Sequence, residues 1–286
     1  MRKPGAPGSR SCDDVHVPTD LSVARYLSWL RTAMIAFVRY ADRAGLDAPV
    51  PTCPGWTARD LVAHQGMVHR WAAALLRGEH VDEPESWERE GKAALDPLEW
   101  LRDGVVDLAG ALYAAADDAS APVFLNDAPA PRLFWARRQC HETTIHAVDA
   151  QAAALGRAPR PDEIEWVDHD LALDGLDELL AGFLTRRRSP LRMPEESVLA
   201  VRPDDADVWW RLTLTPEPAV TVRVVGPPDD EAADDEAADD GVDWVLDGTA
   251  RELYLRLWNR TEPPAGAVSP AAGVLDWPAL SAVTWA

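Results

Sequence analysis

Apolar positions along this chain follow two different periods, and the change from one to the other divides it. Over the first half they recur at helical spacing. Leu27, Leu30, Met34, Phe37 and Val38 share one stripe of a helix predicted over residues 21–44. A turn, Cys53-Pro54-Gly55-Trp56, precedes a second helix, with Thr57 as N-cap and Asp60 three residues on; it stops at Gly78. The segment 80–93 reads as a Pro- and Glu-rich connection. Asp96 and Pro97 then open a third helix reaching about residue 117, with Glu99 at N3. A fourth runs over about 132–155 and ends at Gly156. Four long amphipathic helices joined by these loops predict a bundle.

The second half mixes periods. Residues 168–186 carry one more amphipathic helix, with Leu171, Leu176, Leu179, Leu180 and Phe183 apolar. Alternating Val, Trp and Thr then predict strands over 198–202, 208–215, 219–225 and 242–246. Thr249 and Glu252 form a capping box for a helix over 250–258. The expected organisation is a lead-in over 1–18, a helical bundle over 19–157 and an α+β domain over 165–286.

Composition narrows the partners. The 286 residues carry 28 Lys+Arg against 48 Asp+Glu, a net charge of -20, and are 47% hydrophobic. A real core is affordable, and so acidic a chain is not expected to bind nucleic acid, which needs a cationic surface. Eight of the acids fall in the low-complexity run 229–240, expected as a loop between strands; without them the balance is -12. No apolar run reaches the length of a membrane helix. Cys12, Cys53 and Cys140 are too scattered for a disulfide framework, and the N-terminus has no apolar stretch of a secretory signal, so a cytoplasmic location is expected. A monomer or small homo-oligomer is the expected state.

Candidate chemistry sits on the second and fourth helices. His64 lies with Leu61, Val68, Trp71 and Leu75 at spacings of a packed seam, where a hydrogen-bonded core histidine is the plainer reading. The fourth helix contains Cys140-His141-Glu142-Thr143-Thr144-Ile145-His146. It is not HExxH, and His141 and His146 are five apart, roughly 140° around a helix, so they cannot share a ligand. Glu142 and His146 are four apart and share a face. Asp149, three further on, is placed to orient the imidazole. A solvated polar face is the alternative for these three. With His64 they make a His2Glu set, three protein ligands with an open position, the pattern of a catalytic zinc. Cys53, in its turn before a helix, is either an activated thiol or a structural cysteine. His69, His80, His141 and His169 show no partner pattern and read as surface or packing residues.

The run Pro51-Thr52-Cys53-Pro54-Gly55-Trp56-Thr57 with Asp60-Leu61-Val62-Ala63-His64 resembles the N-terminal signature of the mycothiol-dependent maleylpyruvate isomerase family of actinobacteria. Arg137-Arg138 through His141-Glu142-Thr143-Thr144-Ile145-His146-Ala147-Val148-Asp149-Ala150 is similar to its second signature. Asp174-Gly175-Leu176-Asp177-Glu178 and residues 248–260 resemble its C-terminal domain. The resemblance implies a DinB-like four-helix bundle holding a divalent metal, expected to be Zn, on His64, Glu142 and His146, followed by a sterol-carrier-like α+β domain. It also implies mycothiol as thiol cofactor and a small-molecule electrophile as partner. In that family the thiolate adds to the cis double bond of maleylpyruvate, the bond rotates, and elimination gives the trans product; a related thiol S-transferase fits the same motifs. The family's substrate arginine maps to Arg260, with Arg256 as rival, while the cationic end of an ordinary helix is the plainer reading of both. A non-catalytic metal-bearing small-molecule-binding protein, or a buried His/Glu network without metal, are the alternatives.

Overall fold

The computed structural model describes residues 19–226, 241–261 and 277–281. The expected lead-in 1–18 and the acidic run 229–240 lie outside them. Five helices form the N-terminal lobe: α1 (Val23–Ala44), α2 (Ala58–Leu76), α3 (Glu85–Ala93), α4 (Pro97–Ala114) and α5 (Pro131–Leu155). The ends follow the local chemistry. The Thr57 hydroxyl accepts from Asp60 N while the Asp60 carboxylate accepts from Thr57 N, and Asp96 accepts from Glu99 N at 2.9 Å. Gly156, with φ 68°, closes α5 in the left-handed region. α1 packs along α5, and α2 packs against α4 and α5.

The helix α3 corrects the reading of 80–93 as a mere connection. Its nine residues lack an apolar stripe, so periodicity could not find it. What holds it is Trp100 of α4. The indole lies where a Cβ on Gly91 or on Gly66 would have to sit, so the two glycines let α3 and α2 close on the ring. Lys92 pairs within α3 with Glu88 at 2.7 Å and ties the helix to Asp60 of α2 at 3.1 Å.

The C-terminal lobe is a small mixed sheet with helices. Strands β1 (Ser197–Pro203), β2 (Val208–Leu214), β3 (Val220–Val225) and β4 (Trp244–Gly248) lie in the order β3-β2-β1-β4. β1 runs antiparallel to β2 and parallel to β4. Along β2, Trp210, Leu212 and Leu214 alternate into the core. Helix α6 (His169–Asp177) and α7 (Ala250–Leu257) pack on each other and share that core. The helix predicted over 168–186 is α-helical only as far as Asp177. It then widens into a π-helical turn, Glu178–Phe183. A last short helix, α8, covers Trp277–Leu280.

Helix α5 explains how the lobes join. Every residue from 134 to 153 is buried. One side meets α1 and α2, and the other meets α6 and α7 of the second lobe, so the helix has no solvent face for a polar stripe. Its polar residues are paired instead. Arg137 donates to Asp174 Oδ2 (3.1 Å), to the Asp174 carbonyl (2.8 Å) and to Asp177 Oδ2 (3.2 Å). Tyr26 of α1 donates to Asp174 Oδ2 at 2.8 Å, and His141 Nε2 lies 2.8 Å from the same oxygen. His141 Nδ1 lies 3.1 Å from the Tyr254 hydroxyl, so His141, expected as a residue without partners, is bonded at both nitrogens. Arg138 pairs with Glu178. Burial pushes the Asp174 carboxyl up, but Arg137, His141 and Tyr26 outweigh it and bring it down from 3.8 to about 2.

Two outcomes follow from this junction. Arg137→Leu leaves Asp174 and Asp177 buried without their counter-charge, and is expected to cost about 3–5 kcal/mol of unfolding free energy in urea titration; a loss below about 1 kcal/mol would mean that water already serves these acids. Because Asp174 is depressed in the folded chain, its stabilising share is complete above pH 3.8 and is lost as the pH falls through about 2. Asp174→Asn should therefore flatten the acid limb of the stability curve.

Candidate metal centre

Three side chains from two helices converge at the face between α2 and α5. Glu142 Oε1 lies 3.2 Å from His146 Nε2 and 3.8 Å from His64 Nε2. The ligand atoms of the three residues all lie within 4.8 Å of one another. The 3.6-residue repeat puts Glu142 and His146 one above the other on α5, and His64 reaches across from α2. Trp56, at the end of the turn before α2, covers the pair of imidazoles. Its ring centroid is 4.9 Å from that of His64 and 6.2 Å from that of His146, stacked on the latter at 21°.

The remaining polar atoms of Glu142 and His146 are fixed from outside. Arg138, one turn before Glu142, donates to Glu142 Oε2 at 2.9 Å, which leaves Oε1 to face the histidines. His146 Nδ1 lies 2.8 Å from Asp149 Oδ2, leaving Nε2 for the centre. The Thr52 hydroxyl donates to Asp149 Oδ1 at 2.6 Å, and Arg260 Nε lies 2.7 Å from that oxygen as an ion pair. Burial pushes Glu142 up, yet the two imidazoles and Arg138 hold it well below the usual carboxylate range. Burial pushes His146 down, yet contacts to Asp149, Cys53 and Glu142 raise it well above 6.5. Asp149, also opposed by burial, is brought to about 2 by Arg260, His146 and Thr52.

The solvated-face alternative for Glu142, His146 and Asp149 is overturned, since they are only 5%, 8% and 0% exposed. The seam predicted on α2 is displaced by one stripe. The core side carries Leu61, Gln65, His69, Ala72 and Leu76, while His64, Val68 and Trp71 are half-buried and line a cavity of about 150 Å³ beside Glu142. His69 lies in the core against Gln65 (2.8 Å) and Thr143 (2.9 Å), and burial, with Arg70, lowers it to about 3. His80 is exposed beside Asp82, and His169 is half-buried beside Asp170. Cys53 is half-buried; with His146 and Asp149 it forms a second group of ligand atoms within 4.8 Å, but both oxygens of Asp149 are already engaged. Arg256 lies on α7, half-buried, and its pKa is lowered by burial against the opposing pull of Asp247. Arg260 reaches the centre because Asn259, with φ 58°, turns the chain back after α7.

Comparison with known proteins places the two lobes in a family. Residues 27–151 match the mycothiol maleylpyruvate isomerase N-terminal domain, and residues 170–279 match the MDMPI C-terminal domain. The chain belongs to the mycothiol maleylpyruvate isomerase family. A solved relative, described as the crystal structure of the mycothiol-dependent maleylpyruvate isomerase, shares the fold with a TM-score of 0.51 and 16% identity. The match covers 84% of this chain and 90% of that one. A search of curated proteins found no match.

Within this family member, sequence reasoning missed one contributor, Arg138. Its spacing of four from Glu142 was a usable signal, but an i,i+4 pair on a helix reads as surface charge until the helix is known to be buried. If the three residues hold a metal, the Asp149 contact sets the free nitrogen of His146. Asp149→Asn is then expected to weaken metal affinity by about 10–100-fold in competition with a chromophoric chelator; unchanged affinity would leave Asp149 no part in the centre.

Proposed function

We propose that this protein is a divalent-metal-dependent enzyme that uses mycothiol and acts on a small electrophile, either as a cis-trans isomerase or as a related thiol S-transferase. The observation that carries the reading is the convergence of one carboxylate and two imidazole atoms, with Glu142 and His146 each held from behind by another residue. A nitrogen-nitrogen-oxygen set suits zinc, and leaving further positions open suits a catalytic ion. Zinc bound there would lower the pKa of a coordinated thiol, supplying a nucleophile that is scarce at neutral pH.

The chain's own residues do the rest. Arg138 keeps Glu142 presenting one oxygen. Asp149 sets the imidazole of His146, and Trp56 shields the two rings from water. Arg260 brings a guanidinium beside the centre, where it can meet an anionic group of the thiol or the electrophile. In the same reading, residues 19–157 are a DinB-like bundle built on α1, α2, α4 and α5, and residues 165–286 are a sterol-carrier-like domain.

Metal analysis of purified protein tests the centre directly. Near-stoichiometric zinc is expected in the wild type, with His64→Ala and His146→Ala each losing most of it. Equal metal in all three would sink the ligand assignment. Calorimetry with mycothiol then separates the enzyme reading from a metal-bearing binding protein. Binding is expected with the zinc-loaded protein and not with His64→Ala.

A further inference from the structure

The cavity of about 150 Å³ beside Glu142 is chemically lopsided. Met67, Val68, Trp71, Phe124 and Trp135 supply most of its wall. Its polar groups are His64, Arg138, Gln139 and Glu142. Arg138 is the only arginine or lysine among them, and its guanidinium is already shared between Glu142 and Glu178. A carboxylate entering here would approach the ionised Glu142 with no uncommitted guanidinium to meet it, and would give up its hydration against indole and phenyl rings. Gln139 points the other way. It is 1% exposed, and its Oε1 is buried without a hydrogen-bond partner among the described residues. A buried acceptor left in that state carries a cost that a ligand donor would remove. In size, an engineered apolar cavity of roughly 150 Å³ takes a benzene ring.

We propose that this cavity is the substrate subsite for a small uncharged aryl or compact alkyl group carrying one hydrogen-bond donor, which Gln139 Oε1 accepts. This deepens the metal-enzyme reading, on which the placement of the reacting atoms beside the cavity rests. It assigns the electrophile a neutral, ring-sized substituent at this position. Occupation of the cavity itself does not require the metal.

Phenol, toluene and benzoate titrated calorimetrically into the full-length protein, zinc-loaded and chelator-stripped, provide the test. Phenol is expected to bind about fivefold tighter than toluene, the worth of one hydrogen bond. Benzoate should be at least about tenfold weaker than phenol, as expected for a charge entering an apolar site. Val68→Phe, which fills the cavity, should weaken both neutral probes by about tenfold or more. Gln139→Leu keeps the volume and should erase the phenol preference while leaving toluene within about twofold. If Val68→Phe fails to fold, Gln139→Leu still decides. Benzoate binding as tightly as phenol, or a phenol preference that survives Gln139→Leu, overturns the proposal. Aryl binding that persists in stripped protein supports the subsite even if zinc analysis defeats the metal reading. Zinc bound through His64 and His146 without aryl binding defeats the subsite alone.

Discussion

The ionic junction between α5 and the C-terminal end of α6, with the π-helical turn that follows it, sets the terms for the rest of the molecule. Two consecutive arginines, Arg137 and Arg138, meet Asp174, Asp177 and Glu178, all five buried. Charges so placed give up a large hydration energy, and their mutual attraction recovers it only when the geometry and the remaining hydrogen bonds are satisfied. Tyr26, His141 and Trp210 complete the set around the acids. Such an arrangement adds little net stability over a well-packed apolar junction. What it specifies is one seating of the two lobes, because a shifted seating would strand a buried charge.

That seating reaches the candidate centre through single residues. Arg138 touches Glu178 with one nitrogen and Glu142 with another, so the second lobe positions the carboxylate from behind. Arg260, from the end of α7, pairs with Asp149, which in turn sets His146. All three converging ligands belong to the helical lobe, yet two of the residues that orient them are anchored in or supplied by the sheet lobe. The helical lobe alone would hold the same three side chains with their rotamers less constrained. The candidate centre and the lobe interface are therefore one structure, and α5 is the element they share.

Much of this was legible from residue order, and the failures have one source. Local signals survived: the capping boxes at Thr57 and Thr249, Asp96-Pro97 at the start of α4 and Gly156 at the end of α5 all mark the observed ends. The spacing of Glu142 and His146 on one face was readable because a helix fixes it. What could not be read was which face is covered by the other lobe. Helix α5 looks amphipathic at best in isolation, and its polar residues invite a solvent face; burial by α6 and α7 is a tertiary fact. The same ignorance displaced the stripe on α2, where His64-Val68-Trp71 looks like a core seam and instead borders a cavity. It also hid α3, which is held by a tryptophan from the next helix and not by its own pattern.

The buried charges around the centre do not balance, and the imbalance explains two observations together. Glu142, Asp149 and Glu178 are matched by only two guanidiniums, those of Arg138 and Arg260. Low local polarity makes one uncompensated negative charge expensive, so the cluster takes a cation from whatever is at hand. Burial by itself would lower His146, but contacts to Asp149, Cys53 and Glu142 accordingly raise it well above 6.5. A divalent ion, if held there, would bring two positive charges and leave the cluster with one in excess. A single thiolate would then restore neutrality, whereas an anionic group pressed into the adjoining cavity would reintroduce the deficit. The surface excess of acid, -20 over the chain, has no part in this. Charge at the site is decided by a few buried and half-buried groups whose neighbours have replaced water.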